Sequence, residues 1–146
     1  MFEVVERSDI THYMNLSPKG ITLKESAMNH KILICDDEEN IRETVKLILG
    51  DHYSLFLVNS GEQALYTLEN NKDIKVVILD IKMPKVNGLD VLTEIKSKYP
   101  HIKIVMLTAY RSVEVAAEAS RLGASGYIVK PFKSQEILET VKKNLG

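Results

Sequence analysis

The sequence has little cysteine, no tryptophan and almost no net charge. Its one cysteine, Cys35, excludes an intramolecular disulfide and is typical of a protein from a reducing cytoplasm. The formal net charge of −1 gives no overall attraction to nucleic acid or to an anionic membrane. No apolar run approaches the roughly 20 residues that span a bilayer, and the N-terminus lacks a signal-peptide pattern. Function must therefore depend on local charge.

The first 30 residues differ in composition from the rest of the chain. They mix polar residues with scattered apolar ones, and Phe2, Val4 and Val5 could form a short strand or a helical turn. We expect residues 1–30 to be an N-terminal extension that is either disordered or loosely docked. Residues 31–146 are long enough to form one domain with a sizeable core.

From Lys31 onward, short apolar strands and amphipathic helices alternate five times. The predicted strands cover residues 32–35, 53–58, 76–79, 102–107 and 125–129. This alternation indicates an α/β fold, in which a doubly wound five-stranded parallel sheet carries five helices on its two faces. We expect the flavodoxin-like strand order 2-1-3-4-5, although a single sequence does not determine that order.

The fourth helix is predicted to present an unusually small inward face. Apolar or small residues at spacings of three and four residues form this face, namely Val113, Ala116, Ala117 and Ser120. Because few large side chains hold it, we expect this helix to shift at low cost. Ser134 is expected to be the N-cap of the fifth helix.

The predicted sheet carries its reactive side chains at one edge. Asp36 and Asp37 end the first strand, and Asp80 ends the third, Thr108 the fourth and Lys130 the fifth. All strands of a parallel sheet end on the same side, so these residues converge near the topological switch point. Two carboxylates about 4 Å apart repel each other by roughly 4 kcal/mol, so the three carboxylates require a cation.

Oxygen ligands with room for water favour Mg²⁺ at this edge, with Mn²⁺ as an alternative. Asp37 is expected to bind the metal directly, and Asp36 directly or through water. Asp80 and the backbone carbonyl of Lys82 complete the predicted ligand set, because Pro84 and the following turn expose that carbonyl. A solvated strand end that favours the next helix dipole is the alternative interpretation of the acidic pair.

The same edge has the groups that phosphoryl transfer requires. Asp80 is the predicted nucleophile and forms an aspartyl phosphate. Lys130 offers a positive charge to one phosphoryl oxygen, and Thr108 offers a hydroxyl donor to another. Thr108 could instead, or in addition, be the N-cap of the fourth helix.

Several short motifs follow one another in a fixed order along these strands. They are Asp36-Asp37, Asp80 followed by Met83-Pro84 and Gly88, Thr108-Ala109, and Lys130-Pro131-Phe132. In this order they resemble the receiver domain of two-component response regulators, and the resemblance extends from Lys31 to Gly146. The chain is similar in particular to single-domain members of chemotaxis and sporulation phosphorelays.

The resemblance implies that Asp80 takes its phosphoryl group from a sensor histidine kinase or a histidine phosphotransfer protein. It implies a cytoplasmic regulatory phosphoacceptor that assists its own phosphorylation and dephosphorylation rather than an enzyme. Thr108 and Lys130 would bind the phosphoryl group, and Tyr127 would be the switch aromatic, with a fixed core aromatic as the alternative. The peptide bond between Lys130 and Pro131 would be cis.

The expected output is a change in the surface formed by the fourth helix, the fifth strand and the fifth helix. No effector domain follows in the sequence, so we expect either a single-domain regulator that acts through a downstream protein partner or a chain whose output domain is missing. Direct binding of nucleic acid or of a membrane is not expected. The domain is expected to be a monomer or a weak phosphorylation-dependent dimer.

Three other functions are weighed against this one. A phosphatase with an aspartate nucleophile would carry a second aspartate two residues after Asp80, where Lys82 stands. A flavin-binding module would need a small, polar phosphate loop where the sequence has the acidic run 36–39. A phosphate-independent pseudo-receiver would lack one of the motif residues, and none is missing.

Overall fold

The structure is a computed structural model that describes residues 3–5 and 30–146 of the chain. The strands in these ranges are β1 (Glu3–Val5), β2 (Lys31–Cys35), β3 (Ser54–Val58), β4 (Ile74–Leu79), β5 (Lys103–Thr108) and β6 (Gly126–Val129). The helices are α1 (Glu39–Leu49), α2 (Gly61–Asn70), α3 (Gly88–Lys98), α4 (Val113–Arg121) and α5 (Ser134–Leu145). The five predicted strands correspond to β2 through β6.

The described strands form one sheet in the order β1-β3-β2-β4-β5-β6. Strands β2 to β6 are parallel, and their order confirms the predicted arrangement 2-1-3-4-5. Strand β1 adds an antiparallel strand along the outer edge of β3, which fits the strand alternative predicted for Val4 and Val5. The prediction of a disordered or loosely docked extension otherwise falls on residues outside the described ranges.

Helices cover both faces of the sheet, as in a doubly wound fold. Helices α1 and α5 contribute Val45, Leu49, Ile137 and Val141 to the core on one face. Helices α2, α3 and α4 cover the opposite face. Alternate residues of β4 therefore enter different cores, which explains why the whole run from Val76 to Leu79 is apolar.

The inward face of α4 differs from the predicted one. The residues that pack against the core are Val115, Ala119 and Leu122. Val113 is 79% exposed, and Ala117 and Ser120 are also exposed, so the predicted face was wrong for these three residues. The stretch from Val113 to Ala119 has apolar residues on several sides of the helix, and its spacing is compatible with more than one register.

The N-caps of the last two helices also differ from the prediction. Ser112 is the N-cap of α4, and its side chain accepts a hydrogen bond from the Val115 backbone N–H. Thr108 lies four residues earlier and does not cap the helix. Lys133, without a side-chain hydrogen bond, occupies the cap position of α5, and Ser134 is already helical. Its hydroxyl is one residue too late to act as the cap.

Within the part of the chain that the structure describes, no helix combines the length and the apolar character needed to cross a membrane.

Candidate functional site

A cavity of about 420 Å³ opens at the carboxyl ends of the parallel strands. It is lined by Asp37, Glu38, Asp80, Lys82, Met83, Pro84, Ala109 and Lys130. The cavity lies at the ends of the neighbouring strands β2 and β4. The strand order reverses between these two strands, so this is the predicted switch point. Strand order therefore brings residues distant in sequence to one site.

The Lys130 ammonium lies among three carboxylates. Its Nζ atom is 2.8 Å from Asp36 Oδ2, 3.0 Å from Glu38 Oε1 and 3.4 Å from Asp80 Oδ2. Asp36 and Asp80 are 1% and 3% exposed, whereas the Glu38 side chain is largely exposed. Lys130 thus has two buried partners and one at the surface.

Burial and ion pairing act in opposite directions on these groups. Burial raises the pKa of Asp36 to about 6, although the hydrogen bond from Lys130 favours the ionised form. Burial also raises the pKa of Asp80, against the attraction of Lys130. Burial alone would lower the pKa of Lys130, but its hydrogen bond to Asp36 and the nearby negative charges raise it overall. The carboxylates are therefore costly to ionise without further positive charge.

Hydrogen bonds with backbone groups and with the Arg42 side chain fix the position of Asp36. Its Oδ1 atom accepts a hydrogen bond of 2.9 Å from the Glu38 backbone N–H. Its backbone carbonyl accepts another of 2.9 Å from Arg42 Nη1 on α1. Its own N–H donates to the Val58 carbonyl at the end of β3. Both carboxylate oxygens of Asp36 therefore have partners, Oδ1 the backbone and Oδ2 Lys130.

A tight turn after β4 shapes the loop beside Asp80. The Val86 N–H donates to the Pro84 carbonyl at 2.8 Å, and Lys85 between them has a positive φ of 73°. The Gly88 N–H then donates to the Ile81 carbonyl at 2.7 Å. A Cβ atom on Gly88 would lie 2.0 Å from the Asp80 carbonyl oxygen, so only glycine fits this close approach.

The structure brings part of the predicted metal-ligand set together. Carboxylate oxygens of Asp36, Glu38 and Asp80 lie within 4.8 Å of one another. Carboxylate oxygens fit the ligand preference of Mg²⁺, and two of these three belong to Asp36 and Asp80 of the predicted ligand set. Asp37 is exposed and lines the cavity but is outside this group, and Lys82 also lines the cavity.

Glu38 is the residue at this site that the sequence interpretation did not assign. The only signal for it was its place in the acidic run 36–39, which does not say which carboxylates turn toward Lys130. Its side chain reaches the lysine because Glu38 is the N-cap of α1, directly after the strand end that carries Asp36.

Thr108 and Tyr127 are connected through one residue, Tyr110. The fully buried Thr108 hydroxyl accepts a hydrogen bond of 3.3 Å from the Tyr110 N–H. The Tyr127 hydroxyl donates a bond of 2.9 Å to the Tyr110 carbonyl. The Lys130 N–H donates to the Thr108 carbonyl, and the peptide bond between Lys130 and Pro131 is cis. The ends of β5 and β6 therefore form one hydrogen-bonded unit.

A family model described as "Response regulator receiver domain" matches residues 32–142. Response regulator protein FleR of Pseudomonas aeruginosa is 37% identical over 119 residues, which cover 80% of this chain and 25% of the relative. Sporulation initiation phosphotransferase F of Bacillus subtilis is 34% identical over 119 residues, covering 81% of this chain and 95% of the relative. The chain thus spans about a quarter of the first relative's length and nearly all of the second's.

Solved structures show the same architecture. A CheY-like response regulator receiver domain protein from Methanospirillum hungatei JF-1 superposes with a TM-score of 0.75 and 31% identity. The superposition covers 80% of this chain and 93% of that one.

Proposed function

This chain belongs to the response regulator receiver domain family, and we propose that Asp80 is its phosphoacceptor, with a sensor histidine kinase or a histidine phosphotransfer protein as donor. One observation carries this proposal. Asp80 is a nearly buried carboxylate on a 420 Å³ cavity, with the Lys130 ammonium 3.4 Å from its Oδ2 atom. We assign the receiver function to residues 31–146.

In the proposed reaction, an Asp80 carboxylate oxygen attacks the phosphorus atom of a phosphohistidine. A new P–O bond forms as the P–N bond breaks, and the electron pair of that bond leaves with the donor imidazole, which takes up a proton. Lys130 binds one phosphoryl oxygen, and the Thr108 hydroxyl donates to another. We propose that the domain is a regulatory phosphoacceptor rather than a turnover enzyme, because the phosphoryl group is transferred to its own side chain, Asp80.

The proposed ligands of Mg²⁺, or of Mn²⁺ as a substitute, are Asp36, Asp37, Asp80 and the backbone carbonyl of Lys82. When bound there, the ion would neutralise negative charge on the carboxylates and the incoming phosphoryl oxygens. The buried carboxylates with raised pKa values support this assignment, since their ionised forms need a counter-charge beyond Lys130.

The switch would pass through Tyr110. When Thr108 turns its hydroxyl toward the phosphoryl group, it releases the Tyr110 N–H, and the Tyr110 carbonyl that holds Tyr127 can move with it. Tyr127 then changes its position beside α4, where a groove of about 190 Å³ separates that helix from β6. We propose that the surface formed by α4, β6 and α5 thereby changes its affinity for a downstream protein partner.

Intact mass spectrometry tests the phosphoacceptor. The wild type, Asp80→Asn and Asp90→Asn are incubated with Mg²⁺ and acetyl phosphate, with and without a chelator. Asp90 is an exposed aspartate on α3 and controls for the loss of a carboxylate. We expect one added phosphoryl group in the wild type and Asp90→Asn, and none in Asp80→Asn or with chelator.

A phosphoryl group that still attaches to Asp80→Asn would contradict the assignment. Uptake by none of the three proteins, from acetyl phosphate or from a phosphorylated histidine phosphotransfer protein, would favour a phosphate-independent module.

A further inference from the structure

Lys130 holds the carboxylate oxygens that a metal ion would need. Its ammonium contacts Asp36 Oδ2 and Asp80 Oδ2, while the other oxygen of Asp36 is taken by the Glu38 backbone N–H. A divalent cation that binds either buried oxygen is repelled by the ammonium beside it until Lys130 moves away. A displaced ammonium in a half-buried cavity is costly unless it keeps a negative partner.

Glu38 is such a partner, because it differs from the other two carboxylates in its position. Its side chain is 59% exposed and sits at the mouth of the cavity, 3.0 Å from the lysine. The two buried aspartates lie beneath it at the ends of β2 and β4. An ammonium that swings outward from Asp36 and Asp80 can therefore keep its bond to Glu38.

We infer that Glu38 is a positioning residue that keeps an ion pair with Lys130 while Asp36 and Asp80 bind a divalent cation. This inference rests on the proposed function and adds to it a residue outside the motifs. Glu38 acts through Lys130 and not as a ligand of the ion. When the Glu38 side chain is shortened or loses its charge, Lys130 stays paired with Asp36 and Asp80 and competes with the cation for their oxygens.

The test is the affinity of the unphosphorylated protein for Mg²⁺ alone, measured by isothermal titration calorimetry. Glu38→Gln removes the charge, and Glu38→Asp keeps the charge but shortens the side chain. Glu39→Gln is the matched control, because Glu39 is the next residue, is exposed and carries the same charge near the start of α1. We expect both Glu38 variants to weaken Mg²⁺ binding about fivefold, and Glu39→Gln to change it less than about twofold.

A double-mutant cycle separates positioning from ligation. In a Lys130→Met background there is no ammonium to hold, so adding Glu38→Gln should change Mg²⁺ affinity less than about twofold. An equal loss in both backgrounds would show that Glu38 is a ligand and would overturn the inference. Unchanged affinity of Glu38→Asp beside a weakened Glu38→Gln would show that only the local charge matters, and would also overturn it.

The wild type distinguishes failure of this inference from failure of the proposed function. If the wild type binds Mg²⁺ and takes up a phosphoryl group, but Glu38→Gln matches Glu39→Gln, only the role of Glu38 is wrong. If the wild type neither binds Mg²⁺ nor accepts a phosphoryl group, the proposed function fails and the inference fails with it.

Discussion

Replacing Asp36 by asparagine should stabilise the metal-free protein, and increasingly so as pH rises. Asp36 is 1% exposed, and its burial raises the pKa from 3.8 to about 6 in spite of the hydrogen bond from Lys130. An acid whose pKa is higher in the folded protein than in the unfolded chain favours folding when it is protonated. Its contribution is fully present below the unfolded pKa and is lost as pH rises through the folded one.

The size of the effect follows from the two pKa values. Each unit of difference corresponds to about 1.4 kcal/mol, so ionised Asp36 costs about 3 kcal/mol of folding free energy well above pH 6. At pH 4 most of the folded and part of the unfolded protein carry the proton, and the cost is about 0.5 kcal/mol. Asparagine resembles the protonated acid, so Asp36→Asn should be more stable than the wild type by these amounts.

Urea unfolding followed by far-UV circular dichroism, with a chelator present, measures the difference at several pH values from 4 to 8. Asp37→Asn controls for the loss of an acidic residue, because Asp37 is the adjacent aspartate and is exposed. Its effect should be small beside that of Asp36→Asn. A stability gain for Asp36→Asn that stays constant or shrinks from pH 4 to pH 8 would refute the reasoning, because it would mean that ionised Asp36 is not penalised in the fold.

Three further substitutions test the loop and the switch. Gly88→Ala should lower the free energy of unfolding by about 3 kcal/mol or more, measured by urea unfolding, because its Cβ would lie 2.0 Å from the Asp80 carbonyl. Lys85→Gly should raise that free energy by about 0.5 kcal/mol, because relief of the positive φ exceeds the added entropy of the unfolded chain; a loss would contradict this. Tyr127→Phe loses the bond to the Tyr110 carbonyl and should cost less than about 1 kcal/mol, with phosphoryl uptake unchanged by intact mass; impaired uptake would contradict the proposed order of events.

The fold could be predicted from sequence because burial on both faces leaves a clear pattern. The run from Val76 to Leu79 is apolar throughout, and this is needed only where helices cover both sides of a strand. The face of α4 could not be predicted in the same way. Its apolar residues are compatible with more than one register, and in the structure Ser112 is the N-cap while Val115 and Leu122 pack against the core.

The site was predictable to the extent that backbone topology determines it. The ends of parallel strands must converge, so Asp36, Asp80 and Lys130 could be placed together before any distance was known. Glu38 could not be assigned, because its approach to Lys130 depends on the conformation of an exposed side chain. The spacing of residues determines which backbone positions are near one another and leaves such side-chain directions open.

The charges of the cavity connect stability to the proposed chemistry. The three carboxyl groups of Asp36, Glu38 and Asp80 lie around the ammonium of Lys130, so the formal net charge of this group of four side chains is −2. An anionic phosphoryl donor cannot approach such a site closely at low cost, and burial of the two aspartates makes the same charge unfavourable for folding. A divalent cation would relieve both costs at once. The negative charge that burial makes unfavourable for folding is therefore the charge that would attract the divalent cation and, with it, the phosphoryl group.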